Sequence, residues 1–127
     1  MTSGDEITAA FEAGEIAGAD FPHEAHVLVA WTLAHRYPRA DAYQRLAAGI
    51  RAMAARSGRP EAFHETITRA WFELIADAPV LDEASVLFDR GLLRRFYSPE
   101  RLAAGRHEWL EPDLAPLTAS PTESATD

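Results

Sequence analysis

The sequence predicts an all-α fold, a compact bundle of about five to six helices with an extended C-terminal tail. Apolar residues recur at helical spacing along most of the chain, and prolines and glycines punctuate these segments. No stretch shows the alternation that is typical of strands. The 127 residues fit one domain, which we assign to residues 1–117. We expect residues 118–127, which consist of Ser, Thr, Ala and Pro with two acidic residues, to be disordered.

The first two helices are bounded by glycine and proline. An amphipathic segment predicts a helix over Asp5–Ile16, which Gly14 weakens. The second helix is predicted to begin near Pro22, since proline is tolerated in a first helical turn. It ends near Tyr37, where Pro38 stops it.

The next two helices carry clear apolar stripes. The third is predicted over Arg39–Arg56 and is closed by Gly58, a typical residue just beyond a helix end. The fourth is predicted to open at Pro60-Glu61, where an acidic side chain suits the positive end of the helix dipole, and to end before Pro79.

The C-terminal third contains shorter elements. We expect a fifth helix over Leu81–Asp89 and a further turn over Leu92–Phe96. Ser98-Pro99 predicts the start of a last short helix that ends near Gly105. Residues 111–117 are predicted to be extended and laid over the surface as a strap.

Composition excludes several classes of function. The chain has no cysteine, so disulfides, thiolate metal sites and cysteine catalysis are excluded. Its net charge of −8 argues against general nucleic-acid binding. No apolar run approaches the length of a membrane helix, and the N-terminus lacks signal-peptide features. We therefore expect a cytoplasmic protein without a membrane or nucleic-acid partner.

The strongest functional signal is a pair of histidine clusters at two predicted helix starts. His23 and His26 begin the second helix, and His64 lies about one turn into the predicted fourth helix. Short links make neighbouring helices antiparallel, so the second and fourth helices run roughly parallel. The three histidines are therefore predicted to meet at one end of the bundle.

These residues suit a metal ion. The positive end of a helix dipole disfavours imidazolium, and neutral imidazole is the form that ligates a metal. Three imidazoles favour Zn, Cu, Fe or Ni, and an open fourth position would mark a catalytic site. Glu61 precedes His64 by three residues and Glu65 follows it, so either is a candidate fourth ligand or base. A diiron site needs two Glu-x-x-His motifs, and the sequence contains one.

Three interpretations stay open. The first is a divalent-metal protein, such as a metalloenzyme that acts on a small-molecule substrate with Glu65 or Glu61 as proton acceptor. The second is a metal-free acid–base enzyme that uses His64 and Glu65. The third is a non-enzymatic interaction module with structural histidines, for which a homodimer is one candidate partner. His35 and His107 are interpreted as structural and exposed, respectively.

Several segments also resemble a known pattern. They are Phe21-Pro22-His23-Glu24-Ala25-His26 with Ala30-Trp31, Phe63-His64-Glu65-Thr66-Ile67-Thr68 with Trp71, the segment 96–102 and the segment 111–117. Together they resemble a family of small uncharacterised bacterial helical proteins. The resemblance implies a shared helical domain over roughly residues 21–117, in which the two histidine clusters belong together. It implies no particular activity.

Overall fold

The computed structural model describes residues 3–79, 81 and 86–117, and every regular element in these ranges is helical. The all-α prediction is therefore confirmed for this part of the chain. None of the described helices is long and apolar enough to cross a membrane. The described residues form five α-helices, α1 (Ser3–Glu12), α2 (His23–Arg36), α3 (Arg39–Arg56), α4 (Glu65–Ala76) and α5 (Pro99–Ala104).

The chain divides into two compact units with a boundary between Phe63 and His64, and each unit is described separately. In the first unit α2 packs against both α1 and α3. Gly49 of α3 allows a close approach of α1, because a Cβ atom there would overlap the ring of Phe11. The buried apolar side chains of this unit are Phe11, Ala25, Val27, Val29, Ala30, Leu33, Ala42, Leu46, Ala47 and Met53.

Gly14 and Gly58 follow the ends of α1 and α3 and share the same backbone conformation. Gly14 and Gly58 have φ angles of +75° and +74°, a left-handed conformation that favours glycine. Beyond α3 the N–H of Arg59 donates to the carbonyl of Ala54 over 2.9 Å, which is the Schellman closure of a helix. The predicted bounds of α3 are confirmed, whereas α1 ends at Glu12 rather than at Ile16.

The second unit is built around α4. The helix is amphipathic: its buried residues form a wide face, and its charged side chains Glu65, Arg69 and Glu73 lie at less buried positions. A 3₁₀ turn at Leu92–Arg95 packs against α4, and Ser98 caps α5 by accepting a hydrogen bond from the Arg101 N–H over 3.2 Å. Among the described residues of this unit, the buried apolar side chains are Ala70, Trp71, Phe72, Leu74, Ile75, Ala78, Leu87, Leu92, Leu93, Phe96 and Tyr97.

Two predicted helices differ from the structure. The fourth does not begin at Pro60: a short 3₁₀ turn covers Pro60–Ala62, the backbone at Phe63 is extended, and α4 starts at Glu65. Of the fifth, predicted over Leu81–Asp89, residues 82–85 lie outside the described residues, and Val86–Phe88 form a 3₁₀ turn rather than an α-helix. The tail predicted to be disordered, residues 118–127, also lies outside them.

Candidate functional site

His64 is the N-cap of α4 rather than a residue of its first turn. Its backbone is extended, and its Nδ1 accepts a hydrogen bond from the Ile67 N–H over 3.1 Å. Its Nε2 donates to the carbonyl of Leu102 over 2.9 Å. This pair of contacts requires the neutral ring with its proton on Nε2. Burial lowers the pKa of His64, which agrees with a neutral imidazole.

This geometry leaves His64 without a spare lone pair. A neutral imidazole carries one nitrogen lone pair, and in His64 that lone pair accepts the helix-capping hydrogen bond. A metal ion could bind at Nδ1 only if the cap were broken. Glu61 lies in the 3₁₀ turn instead of one helical turn before His64, so the Glu-x-x-His spacing is not carried by a continuous helix.

The backbone N–H groups at the start of α4 that follow His64 also have hydrogen-bond partners. The N–H groups of Glu65 and Thr66 donate to the carbonyls of Arg106 and Gly105 over 2.9 and 3.1 Å. Together with the His64 cap, these bonds satisfy the three N–H groups that precede the first intrahelical bond. Gly105 is required at this approach, because a Cβ atom there would overlap the hydroxyl of Thr66.

The hydroxyl of Thr66 joins this helix start to the strap, which comprises residues 105–117 and so begins six residues before the predicted one. The Thr66 Oγ1 donates to the carbonyl of Glu108 over 2.7 Å and accepts from the N–H of Leu110 over 3.1 Å. Thr66 is fully buried, so water cannot replace either bond. The His64-Glu65-Thr66 motif therefore anchors the strap.

Hydrogen bonds also join the C-terminal part of the strap to Tyr97 and Ser98, the two residues before α5. The Tyr97 hydroxyl donates to the carbonyl of Leu110 over 2.7 Å, and burial raises the pKa of Tyr97 to about 12. Ser98 donates from its backbone N–H and its hydroxyl to the two carboxylate oxygens of Asp113, over 2.9 and 2.6 Å. These bonds lower the pKa of Asp113. The strap thus includes the motif at 111–117 and is hydrogen-bonded to the motif at 96–102.

His23 and His26 form a separate pair at the start of α2 in the first unit. Their ring centroids are 6.2 Å apart, and both side chains are partly exposed. The edge of the Phe21 ring contacts His26 at a centroid distance of 6.0 Å, and Phe21 stacks on Phe11 at 5.3 Å. Burial, with a smaller contribution from His23, lowers the pKa of His26 to about 4. His26 is thus a neutral imidazole at pH 7.

The shifted pKa of His26 predicts acid sensitivity. Its ordinary pKa of 6.5 falls to about 4 on folding, so the unfolded chain binds more protons between these values. The contribution to stability is complete above pH 6.5 and is lost as the pH falls toward 4. At about 1.4 kcal/mol per unit, less the screening at a partly exposed ring, we expect a loss of about 2 kcal/mol at pH 4.5.

Urea unfolding at pH 7 and at pH 4.5 measures this loss. The His26→Gln variant keeps a polar side chain but does not titrate, so its stability should fall about 2 kcal/mol less than that of the wild type over the same interval. Equal losses in the two proteins would show that His26 does not couple folding to protonation.

The predicted three-histidine cluster gains no support from the structure. Among the described residues, no group of three or more His, Asp or Glu side chains is placed to hold a metal ion. The meeting of His64 with His23 and His26 stays a prediction. His35 stacks on Trp31 at 4.2 Å and donates from Nδ1 to the Trp31 carbonyl over 2.9 Å, a structural role as expected. His107 is exposed, also as expected.

Comparison with protein-family models, with curated proteins and with solved structures gave no significant match. The resemblance to a family of small bacterial helical proteins therefore stays an expectation.

Proposed function

We propose that this protein binds a divalent metal ion through His23 and His26 of α2, as a two-histidine site in its first unit. The observation that carries the proposal is the placement of two partly exposed imidazole rings one helical turn apart, with centroids separated by 6.2 Å. Two imidazoles on one tetrahedral ion, each about 2.1 Å from it, have centroids roughly 5 Å apart. Small side-chain rotations bring the pair to that spacing.

Protonation does not oppose metal binding at His26. Its pKa of about 4 means that no proton has to be displaced from the ring at pH 7. Imidazole ligands favour Zn, Cu, Ni or Fe. Two protein ligands leave the remaining positions to water or to a small-molecule substrate, which the ion would polarise as a Lewis acid.

His64 is left out of this proposed ligand set for a physical reason. Both of its ring nitrogens bond to the backbone of the second unit. The same bonds weigh against acid–base catalysis by His64 and Glu65, because a catalytic imidazole needs a nitrogen that can exchange its proton with a substrate.

A second candidate function is a non-enzymatic interaction module in which the histidines are structural. The specific observation in its favour is that the ring nitrogens of His64 serve as backbone partners in the second unit, as Nδ1 of His35 does on α2. This candidate predicts no metal binding at any histidine, so the same experiment separates the two functions.

Titration calorimetry of metal-free protein with Zn²⁺, Cu²⁺, Ni²⁺ and anaerobic Fe²⁺ at pH 7.5 tests the proposal. At least one ion is expected to bind with a stoichiometry near one. His23→Ala and His26→Ala should each weaken that binding tenfold or more. The matched control is His64→Asn, in which asparagine preserves a helix N-cap; its metal affinity should equal that of the wild type.

Two outcomes would overturn the two-histidine site. If none of the four ions gives saturable binding, the interaction module replaces it. If His64→Asn, shown to be folded by circular dichroism, weakens metal binding as much as His23→Ala does, the three-histidine site is correct instead.

A further inference from the structure

The first unit contains a cleft that lies apart from the histidine pair. It has a volume of about 550 Å³ and is lined mainly by Ile50, Met53 and Ala54 of α3 and by Gly18, Ala19 and Arg59. This volume is within the roughly 300–1,000 Å³ that is usual for small-molecule sites. The metal proposal makes no use of this cleft, and the two inferences are independent.

Small residues keep the cleft open and apolar. Gly18 places the backbone of a 3₁₀ turn against the end of α3, where a Cβ atom would lie 3.2 Å from the Ser57 hydroxyl and 3.8 Å from the Met53 Cγ. Ser57 donates its hydroxyl proton to the Met53 carbonyl over 3.0 Å, so this group is turned toward its own helix. Met53 itself is buried and forms the apolar floor.

Among the described residues that line the cleft, Arg59 is the charged one. Arg59 follows Gly58, whose φ of +74° reverses the chain at the end of α3. Two neighbouring arginines are engaged elsewhere. The Arg51 guanidinium lies 4.4 Å over the Phe63 ring, and Arg56 donates to the carbonyl of Ile16 over 2.8 Å. Arg59 therefore gives the apolar cleft one exposed cation.

We propose that this cleft binds an amphipathic anion, namely a carboxylate with an unbranched alkyl chain of medium length. The alkyl chain lies on Ile50, Met53 and Ala54, where its burial provides most of the affinity. The carboxylate pairs with the guanidinium of Arg59, whose planar fork matches a carboxylate in a bidentate arrangement. An uncharged alkyl chain of the same length cannot form the ion pair with Arg59.

Binding of decanoate and of decanol, both below their aggregation concentrations, tests the charge recognition. Calorimetry should show saturable one-to-one binding of decanoate and about tenfold weaker binding of decanol. Arg59→Gln should weaken decanoate binding about tenfold and leave decanol binding unchanged. Arg59 is exposed, so this substitution is not expected to affect folding.

Two variants that place a phenylalanine inside or outside the cleft test where decanoate binds. Ala54→Phe fills the cleft and should abolish decanoate binding, whereas Ala55→Phe, at an exposed position outside the cleft, should not. Circular dichroism confirms that each variant is folded. The proposal is overturned if decanoate shows no saturation up to about 1 mM, which corresponds to roughly −4 kcal/mol. It is also overturned if folded Ala54→Phe binds like the wild type, or if Arg59→Gln weakens neither ligand.

Discussion

Replacing Thr66 by valine is expected to lower the free energy of unfolding by about 3 kcal/mol, because two buried backbone groups lose their partner. The hydroxyl accepts from the Leu110 N–H and donates to the Glu108 carbonyl, and the side chain is 0% exposed. Valine has nearly the same shape, so the loss reflects the hydrogen bonds rather than a cavity. Each unsatisfied buried group costs about 1–3 kcal/mol.

Urea unfolding at pH 7 measures this loss, and amide hydrogen exchange at Leu110 locates it. The exchange of that amide should become faster in Thr66→Val, because its acceptor is gone. If the Leu110 amide stays as protected as in the wild type, the hydroxyl does not hold the strap.

Thr8 supplies a matched control for the same substitution. Its side chain is also 0% exposed, but its hydroxyl has no hydrogen-bond partner within the part of the chain that the structure describes. Thr8→Val removes an unsatisfied buried hydroxyl and should leave stability unchanged or raise it by about 1 kcal/mol. A loss of stability is therefore expected in Thr66→Val and none in Thr8→Val; similar losses in both variants would contradict the hydrogen-bond argument.

The helices that could be predicted from the sequence are those whose signals are local. The apolar stripe and Gly58 define α3, and Ser98-Pro99 defines the start of α5. In each case the residues that stabilise the helix end lie within a few positions of it, so a short window contains the whole cause.

The start of α4 was predicted wrongly because its partners are distant. Pro60 begins a 3₁₀ turn, and the capping residue is histidine, which is not among the usual N-cap residues. Thr66 bonds to backbone groups that lie 42 and 44 positions further along the chain. Backbone carbonyls carry no signature in the sequence, so such an anchor could not be anticipated from the residues alone.

The metal site at the histidines stays a prediction, whereas their expected neutral form can be compared with the structure. His26 and His64 have lowered pKa values, as expected for neutral rings, but burial rather than the helix dipole is the main cause. A neutral imidazole suits a metal and a helix cap equally well. The sequence could not separate these roles, because what separates them is the identity of the group facing the Nδ1 lone pair.

Substitution of His64 therefore has a large expected effect on stability. His64→Ala removes the acceptor of the Ile67 N–H and the donor to the Leu102 carbonyl, and it leaves a cavity at a side chain that is 8% exposed. We expect a loss of about 3–4 kcal/mol in the free energy of unfolding. His64→Asn restores the cap but not the bond to Leu102, so it should lose about half as much.

The pH dependence distinguishes a capping imidazole from one that is merely buried among apolar groups. Because its pKa is lowered on folding, His64 contributes stability that is complete above its ordinary pKa of 6.5 and is lost as the pH falls below it. Arg106 and His107 add to this lowering. His64→Asn should therefore lose less stability than the wild type between pH 7 and pH 5.

Protonation of Nδ1 breaks the cap, so the amide of Ile67 in the wild type should also exchange faster at pH 5, after correction for the intrinsic rate. Unchanged protection of this amide would show that His64 keeps its proton state, and with it the cap, over the whole interval.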